Sequence, residues 1–251
     1  MHQAQAIIER VRRVSATIQR IDVAVDKPHQ NISAGQFFLA RLTESLDPYL
    51  REPWIPVHCE GSSVIVERSA IESFAPGDVV NLLGPIGKPI PLRATARSLL
   101  LIAYEASPVS LLLLAETALR GGQSVALALF GAALHYPLDV LPQEIEIIRG
   151  DDEGNWPNQP QSLHWAEQIV AVAPPQFDLR YYARLLQSLR QERIEVPADY
   201  AYGLFQPPMP CGVGACQACV IRCGKDELPA CLEGPAFDLL AVTEIVKEAG
   251  E

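Results

Sequence analysis

Hydrophobic residues recur along the first third of the chain in short runs, which predict an N-terminal helix followed by β-strands. Four apolar residues between positions 4 and 11 are spaced as one face of a helix, so residues 1–13 are predicted to be helical. From residue 14 to about residue 92, short β-rich runs alternate with turn sequences such as PHQN and APGD. Strands of this length and spacing predict a small antiparallel barrel.

The hydrophobic pattern changes after residue 97 to one that is typical of a parallel sheet covered by helices. The runs SLLLIAY, SVALALFG, EIEIIRG and EQIVAVAP read as buried strands, because both faces of such strands are apolar. SPVSLLLLAETALRGG and FDLRYYARLLQSLRQER read as helices between them. After Glu195 the composition turns to proline, glycine and cysteine, and a last helix is predicted near Phe237 to Lys247.

These patterns predict an α+β multidomain fold of three parts. Residues 1–97 form the antiparallel barrel with its N-terminal helix, residues 98–200 the α/β parallel-sheet domain, and residues 201–251 a small C-terminal module. With 251 residues, 49% of them hydrophobic, the chain can bury substantial cores. A net charge of −10 without a basic stripe argues against nucleic-acid binding. The sequence shows no secretory signal and no apolar run long enough to span a membrane, so a cytoplasmic location is expected.

Five of the six cysteines lie in a short segment near the end of the chain, and their spacing indicates a metal centre. Cys211, Cys216 and Cys219 form C-x4-C-x2-C, and Cys231 follows after eleven further residues. This is the plant-type [2Fe–2S] spacing. A structural zinc site would favour two C-x2-C pairs, and buried cysteines without a metal are the third interpretation. The four cysteines are the metal-ligand candidates, and Cys223 is expected to be a bystander.

A barrel, an α/β domain and a C-terminal ferredoxin-type loop, in that order, resemble one known family. The chain is similar to the iron–sulfur, flavin-containing electron-transfer subunit of the NAD-linked, two-subunit dihydroorotate dehydrogenases, a branch of the ferredoxin-reductase superfamily. The resemblance implies a [2Fe–2S] cluster on the four cysteines and an FMN-containing catalytic flavoprotein as partner in a hetero-oligomer that serves pyrimidine biosynthesis. The segments that carry it are AGQFFLAR (34–41), PGDVVNLLGPIGKPIPL (76–92), CGVGACQACV (211–220) and CLEGPAFDL (231–239).

The chain departs from the family at the flavin motif. The family's R-P-x-S element, whose arginine pairs with the FAD pyrophosphate, is matched here by EPWI, with Glu52 at the arginine and Ile55 at the serine. A carboxylate repels a diphosphate. The flavin-binding candidates, assigned by position alone, are therefore Pro53, Trp54 and Ile55. Trp54 is expected either to stack on a flavin ring or to fill the place of one. FAD binding stays open.

The chain also departs from the family at the dinucleotide motifs. The glycine-rich loop that follows the first strand of the α/β domain is replaced by residues 104–108, which contain no glycine. Such a loop lets backbone amides approach phosphates. The family's C-G-P-x-x-M element is replaced by AVAPPQF at residues 171–177. NAD(P)H is therefore not expected to bind.

Three functions follow from these observations. The preferred one is an electron-transfer subunit that relays electrons through the [2Fe–2S] cluster without an NADH site of its own. The second is a working FAD-containing NAD(P)H oxidoreductase subunit of dihydroorotate dehydrogenase, and the third is a docking or structural subunit without redox activity. In the preferred interpretation the chain is a component of an oxidoreductase, with no catalytic residue assigned to it.

Overall fold

The first part of the chain forms a nearly closed antiparallel barrel. The computed structural model describes residues 2–43 and 49–250. Seven strands pair in the order β4-β3-β7-β1-β2-β6-β5. The edge strands β4 and β5 are consecutive in the chain and are joined through Ile55, so the backbone itself links the two edges. The elements are β1 (His2–Arg13), β2 (Ile18–Ala24), α1 (Lys27–Gln30), β3 (Phe37–Leu42), β4 (Glu52–Trp54), β5 (Pro56–Glu60), β6 (Ser63–Ser69) and β7 (Val79–Ile86).

The predicted N-terminal helix is wrong, because β1 occupies its place. Ala6 and Ile8 are buried, whereas Ile7 between them is 52% exposed, which is the alternation of a strand. β1 pairs with β2 on one side and with β7 on the other. The apolar residues at helical spacing thus do not form a helix, because hydrogen bonding to two neighbouring strands favours a strand. Met1, the first residue of the predicted helix, lies outside the described residues.

The second sheet confirms the predicted α/β layer. Its strand order is β10-β9-β8-β11-β12-β15, and all neighbours are parallel except β12 and β15. Helix α2 packs on one face, and α3 and α4 pack on the other. The elements are β8 (Ser98–Tyr104), α2 (Val109–Arg120), β9 (Ser124–Phe130), β10 (Glu146–Arg149), α3 (Gln159–Trp165), β11 (Gln168–Val172), α4 (Asp178–Glu192), β12 (Ala201–Leu204) and β15 (Ala236–Asp238).

The C-terminal segment adds a hairpin and also contributes to the second sheet. The predicted boundary between residues 200 and 201 falls immediately before β12, which is a strand of that sheet, and β15 pairs with β12 along its free edge. The predicted start of the last helix near Phe237 is therefore wrong, because residues 236–238 form strand β15. The predicted domain boundaries stay predictions. The remaining elements are β13 (Val220–Cys223), β14 (Asp226–Pro229), α5 (Ala230–Glu233) and α6 (Thr243–Glu248).

The contacts between the barrel and the α/β layer include an apolar patch and a polar network. Val57 of β5 packs against Leu112 of α2 and Tyr136. The Tyr136 hydroxyl donates to Glu67 of β6 over 2.7 Å, and burial together with the Glu67 charge raises the pKa of Tyr136. Arg20 of β2 donates to the same carboxylate over 2.9 Å. None of the helices in the described part of the chain has the length and hydropathy to cross a membrane.

Candidate functional site

The segment from Cys211 to Cys219, here called the cysteine loop, packs on the outer face of the barrel. Gly212, Gly214 and Gln217 have φ values of 65°, 73° and 56°, so the backbone turns through left-handed conformations between the cysteines. A Cβ on Gly212 would lie 2.7 Å from Cδ1 of Leu39 on β3. Both the left-handed conformation and this close approach therefore favour glycine at position 212.

The fourth cysteine reaches the loop through α5. The Ala230 N–H donates to the Cys219 carbonyl over 2.8 Å, and the Gly214 N–H approaches the Cys231 Sγ at 3.2 Å. The Gly87 N–H, at the end of the barrel, donates to the Cys231 carbonyl over 3.0 Å. Backbone hydrogen bonds thus hold Cys231, the cysteine loop and the barrel rim together.

The four candidate thiols lie as two pairs, Cys211 with Cys216 and Cys231 with Cys219, and the pKa values of Cys211 and Cys231 are shifted in opposite directions. The backbone N–H groups of Val213 and then of Cys216 lower the pKa of Cys211 to about 6, and the Cys216 side chain adds to the effect. Burial raises the pKa of Cys231 to about 12, and its hydrogen bond with the Cys219 thiol acts in the same direction. Within residues 2–43 and 49–250, no three His, Cys, Asp or Glu side chains are already close enough to hold a metal ion.

Cys223 lies apart from these pairs, on the hairpin. Burial raises the pKa of its thiol, and the charges of Glu244, Asp226 and Asp238 act in the same direction. No other cysteine contributes. The surroundings of Cys223 are thus those of a thiol among carboxylates, and its role as a bystander stays a prediction.

A cavity of about 180 Å³ opens beside the cysteine loop, where the barrel, α2 and the C-terminal segment meet. Two of the three flavin candidates, Pro53 and Ile55, lie in its wall. The third, Trp54, is only 3% exposed and packs inside the barrel, edge-on to Phe74 at 5.5 Å between ring centroids. Successive side chains of a strand point to opposite faces, so Trp54 neither stacks on a ring in this cavity nor fills it. Other residues in the wall are Phe37, Ser110, Leu204, Gln206 and Met209; we call this space the junction cavity.

The charged groups near the junction cavity already have partners within the protein. Glu52 forms an ion pair with Arg68, which also donates to Glu72 over 2.7 Å. Arg51 donates twice to the Asn81 side-chain oxygen, over 2.7 and 2.9 Å. The position of the family's phosphate-binding arginine thus holds a carboxylate with its own cationic partner. This arrangement does not fit a diphosphate.

The crevice where an α/β sheet of this kind binds a dinucleotide is filled by aromatic rings. Strand order reverses between β8 and β11, and ligands bind outside the carboxyl ends of the strands at such a point. Tyr104, at the end of β8, stacks on Tyr181 of α4 with 4.1 Å between centroids and 9° between planes. The ring centroid of Phe130, at the end of β9, lies 6.3 Å from that of Tyr104 and 5.5 Å from that of Trp156. These four residues form the aromatic cluster.

The turn that follows β8 carries a carboxylate in place of the glycine-rich loop. Glu105 has a φ of 52°, and its carboxylate accepts a hydrogen bond from the Ala132 N–H over 2.9 Å. A Cβ on Gly131 would lie 2.0 Å from Oε1 of Glu105, so the carboxylate lies directly over that glycine. The Ala132 N–H, which could otherwise donate to a phosphate, therefore already donates to the Glu105 carboxylate. Neither the aromatic cluster nor this turn fits NAD(P)H.

Sequence patterns did not indicate several residues that the fold brings to this region. Ser110 lies far along the chain from Leu204 and Met209, and nothing in their local sequence marks these residues as neighbours of a cavity. The contact of Gly87 with Cys231 joins residues 144 positions apart and leaves no local signal. The glycines between the cysteines were the one indication that the backbone there must turn tightly.

Comparison with known proteins agrees with this architecture. Residues 206–243 match the family model described as the iron–sulfur cluster binding domain of dihydroorotate dehydrogenase B. The electron transfer subunit of dihydroorotate dehydrogenase B (NAD(+)) from Bacillus caldolyticus is 28% identical over 220 residues, covering 81% of this chain and 84% of that protein. The subunit of the same name from Geobacillus thermodenitrificans is 29% identical over 223 residues, with the same coverage.

A solved structure extends the similarity to the fold. The NADH-dependent reduced ferredoxin–NADP oxidoreductase, studied for flavin-based electron bifurcation, superimposes with a TM-score of 0.73 at 17% identity, over 98% of this chain and 93% of the other. The ferredoxin-reductase-like architecture predicted from the sequence is confirmed. The family resemblance predicted from the cysteine, barrel and C-terminal segments is confirmed as well.

Proposed function

We propose that this chain, a relative of the electron-transfer subunits of dihydroorotate dehydrogenase B, is an electron-transfer subunit that carries a [2Fe–2S] cluster on Cys211, Cys216, Cys219 and Cys231. The observation that carries the proposal is the gathering of these four thiols in one loop and one helix, against the barrel rim and beside the junction cavity. The matched family segment, residues 206–243, contains all four. When bound, such a cluster accepts and donates single electrons.

The donor set fits an iron–sulfur cluster. Cysteine thiolates are the usual ligands of such clusters, and N–H groups near the sulfur atoms adjust the reduction potential. The N–H groups of Val213 and Gly214 already lie 3.5 Å from Cys211 Sγ and 3.2 Å from Cys231 Sγ. One cluster on all four residues requires the two thiol pairs to open toward a common centre, with loss of their protons.

We further propose that the chain has no NADH site of its own. The aromatic cluster and the Glu105 carboxylate support this, because both occupy space or donors that a dinucleotide would need. Electrons then reach or leave the cluster through a partner. We propose that this partner is a catalytic flavoprotein of the dihydroorotate-dehydrogenase type, in a cytoplasmic hetero-oligomer.

The surface around the cysteine loop suits such a partner. Cys216 and Val213 in the loop are exposed, Val213 by 44%, and Leu232 beside the loop is 42% exposed. Exposed apolar side chains grouped around a functional loop are typical of an interaction site. Co-purification of the tagged full-length chain with a flavoprotein of its own organism, followed by native mass spectrometry, would test the partnership. Cell fractionation would test the location.

The cluster is tested by anaerobic purification, with measurement of iron, acid-labile sulfide and zinc. We expect two iron and two sulfide per chain, and a paramagnetic signal after reduction. Replacement of any of the four cysteines by serine should abolish the signal, whereas Cys223→Ser and Cys59→Ser should preserve it. Zinc without sulfide would contradict the proposal.

The two alternatives are distinguished on the same preparation. A working NAD(P)H oxidoreductase subunit would contain releasable flavin and reduce dyes with NADH. A docking subunit would hold a cluster that cannot be reduced at any accessible potential. Neither has a specific structural observation in its favour.

A further inference from the structure

A cavity of about 240 Å³ opens at the amino ends of the parallel strands, on the opposite edge of the second sheet from the junction cavity. Glu167 and Tyr200 in its wall immediately precede β11 and β12, whereas Leu204, at the carboxyl end of β12, lines the junction cavity. We call this space the amino-edge cavity. Its wall also contains Arg93, Thr95, Arg193 and Pro197. It is therefore separate from the cysteine loop and from the crevice filled by the aromatic cluster.

Arg193 is held in this wall through one nitrogen atom of its side chain. The guanidinium carbon lies 4.5 Å from the centroid of the Tyr200 ring, and Nη1 donates to the Leu163 carbonyl over 3.0 Å and to the Tyr200 hydroxyl over 2.9 Å. Leu163 lies in the last turn of α3, where free carbonyl groups stabilise a cation. Among the described residues, Nε and Nη2 of Arg193 have no hydrogen-bond partner. These two nitrogen atoms are therefore available to a ligand.

Arg93 approaches the same cavity from the segment that joins the barrel to the second sheet. Its backbone N–H donates to Gln168 Oε1 over 3.0 Å, and its Nη2 donates to the Ala198 carbonyl over 2.9 Å. Burial raises the pKa of Tyr200, and the charges of Arg193 and Arg93 act in the opposite direction, so both guanidinium groups lie near this hydroxyl. Two cations thus flank one cavity.

The charges of these two arginines are not neutralised by the protein. Within residues 2–43 and 49–250, neither Arg93 nor Arg193 forms an ion pair with an Asp or Glu side chain. Glu167, the carboxylate in the wall, accepts a hydrogen bond from the Arg97 N–H over 2.7 Å. Backbone carbonyls fix the position of a guanidinium but leave its positive charge in place. In a chain with 30 acidic and 20 basic side chains, this arrangement indicates that the missing partner is an anion.

The donors of the amino-edge cavity suit a phosphoryl group better than a carboxylate. A guanidinium is a planar fork of N–H donors that matches phosphate oxygens two at a time. Two such forks and two positive charges complement a dianion with three free oxygens, whereas a carboxylate has one charge and two oxygens. At about 240 Å³ the cavity approaches the roughly 300–1,000 Å³ of sites for small organic ligands, so it has room for more than the phosphate itself.

We infer that the amino-edge cavity binds the phosphoryl group of a small phosphate monoester between the guanidinium groups of Arg93 and Arg193. The bound ester connects the segment that leaves the barrel, which carries Arg93, with the segment between α4 and β12, which carries Arg193. This binding does not depend on the proposed electron-transfer function.

Phosphorus NMR titration of the purified full-length protein, at about pH 7.5 and constant ionic strength, tests the inference. The probes are inorganic phosphate and glycerol 2-phosphate, and succinate serves as the competing dicarboxylate. We expect both phosphates to bind with dissociation constants below about 10 mM, the ester at least as tightly as inorganic phosphate. No binding of either phosphate, weaker binding of the ester than of inorganic phosphate, or displacement of both by an equal concentration of succinate would overturn the inference.

A pair of charge-matched variants ties the binding to the cavity. Arg93→Gln removes one fork and should weaken the binding of both phosphates by at least about fivefold. Arg97→Gln removes the same charge from an exposed side chain outside the wall, and should change binding by less than about twofold. If Arg93→Gln does not fold, Arg93→Lys keeps the charge, removes the fork and should also weaken binding. Equal weakening by the changes at positions 93 and 97 would show general charge attraction and contradict the assignment.

The carboxylate in the wall provides a test of opposite sign. Glu167→Gln removes a negative charge from the cavity but keeps an oxygen that can accept from the Arg97 N–H, so phosphate should bind about two- to fivefold more tightly. A purely structural role of the two arginines would produce no such gain. Unchanged or weaker binding in this variant would contradict the inference.

Iron and sulfide measured on the same samples separate this inference from the proposed function. Because the amino-edge cavity lies on the opposite edge of the sheet from the junction cavity, Arg93→Gln should leave the cluster content unchanged. Protein that holds the cluster but binds neither phosphate would contradict this inference alone. Protein that binds phosphate but holds no cluster would contradict the proposed electron-transfer function alone.

Discussion

The ring of Tyr104 lies almost parallel to the ring of Tyr181, with 4.1 Å between their centroids. Tyr104 ends the central strand of the parallel sheet, and Tyr181 lies in the first turn of the helix that follows β11. The pair therefore bridges the point where a dinucleotide-binding sheet normally leaves an open crevice. Side-chain packing has taken the place of ligand contacts.

The stack itself should contribute to stability. Tyr104→Leu keeps an apolar side chain but removes the ring, and we expect it to lower the free energy of unfolding by about 0.5–1.5 kcal/mol. Tyr104→Phe keeps the ring and should change it by less than about 0.5 kcal/mol. Urea denaturation of both variants measures the difference. Equal losses would show that the hydroxyl, and not the stack, matters.

NADH should not bind to this chain at metabolic concentrations. Because rings fill the crevice and Glu105 occupies a backbone donor, we expect a dissociation constant above about 1 mM. Isothermal titration calorimetry with NADH, and with NADPH in a parallel run, measures it. A micromolar constant for either nucleotide would show that the crevice opens in solution.

Gly212 should be indispensable for the seating of the cysteine loop. Gly212→Ala places a methyl group 2.7 Å from Leu39, whereas Gly224→Ala, at a similar φ of 62°, meets nothing within 4 Å. Both variants bear the cost of a left-handed conformation, about 1–2 kcal/mol. Gly212→Ala should lose about 1–3 kcal/mol more through overpacking.

Urea denaturation and the iron content of the two glycine variants provide the measurement. The structure predicts reduced cluster content in Gly212→Ala and full content in Gly224→Ala. Identical behaviour of the two would show that the contact with Leu39 does not position the loop.

Asp178 should make stability depend on pH. Burial raises the pKa of its carboxyl from 3.8 to about 6, although the Leu179 N–H opposes the effect. Because the folded pKa is the higher one, the stabilisation is complete below about pH 4 and is lost as the pH rises through about 6. Asp178→Asn removes this titration. The stability of the variant relative to wild type should therefore be higher at pH 7.5 than at pH 4.5.

The size of the Asp178 effect has an upper limit. A shift of about two pKa units corresponds to at most about 3 kcal/mol, and the first turn of a helix favours a carboxylate, which reduces it. Denaturation of wild type and Asp178→Asn at both pH values measures the difference. If the free energies of unfolding of the two proteins differ by the same amount at both pH values, Asp178 has the same pKa in the folded and the unfolded chain.

The local sequence predicted an element correctly wherever its hydrophobic pattern was compatible with one type of secondary structure only. Leu99 to Ala103 form a buried parallel strand, as their continuous hydrophobicity predicts, and α4 presents Leu185, Leu186 and Leu189 to the core. Residues 2–13 were mispredicted because four apolar side chains satisfied a helical spacing while the pairing with β2 and β7 decided for a strand. That pairing depends on residues up to 84, and no local pattern contains it.

The sequence alone determined which chemistry this protein could carry, because ligand type and spacing are local properties of Cys211, Cys216, Cys219 and Cys231. It also revealed the lost dinucleotide motifs, since the absence of glycine in residues 104–108 is visible in the sequence itself. Only the tertiary structure decided what replaced them: the stack of Tyr104 on Tyr181, the inward burial of Trp54 and the cavity beside the cysteine loop. These depend on side chains from distant segments meeting in three dimensions, which hydrophobic spacing along the chain does not encode.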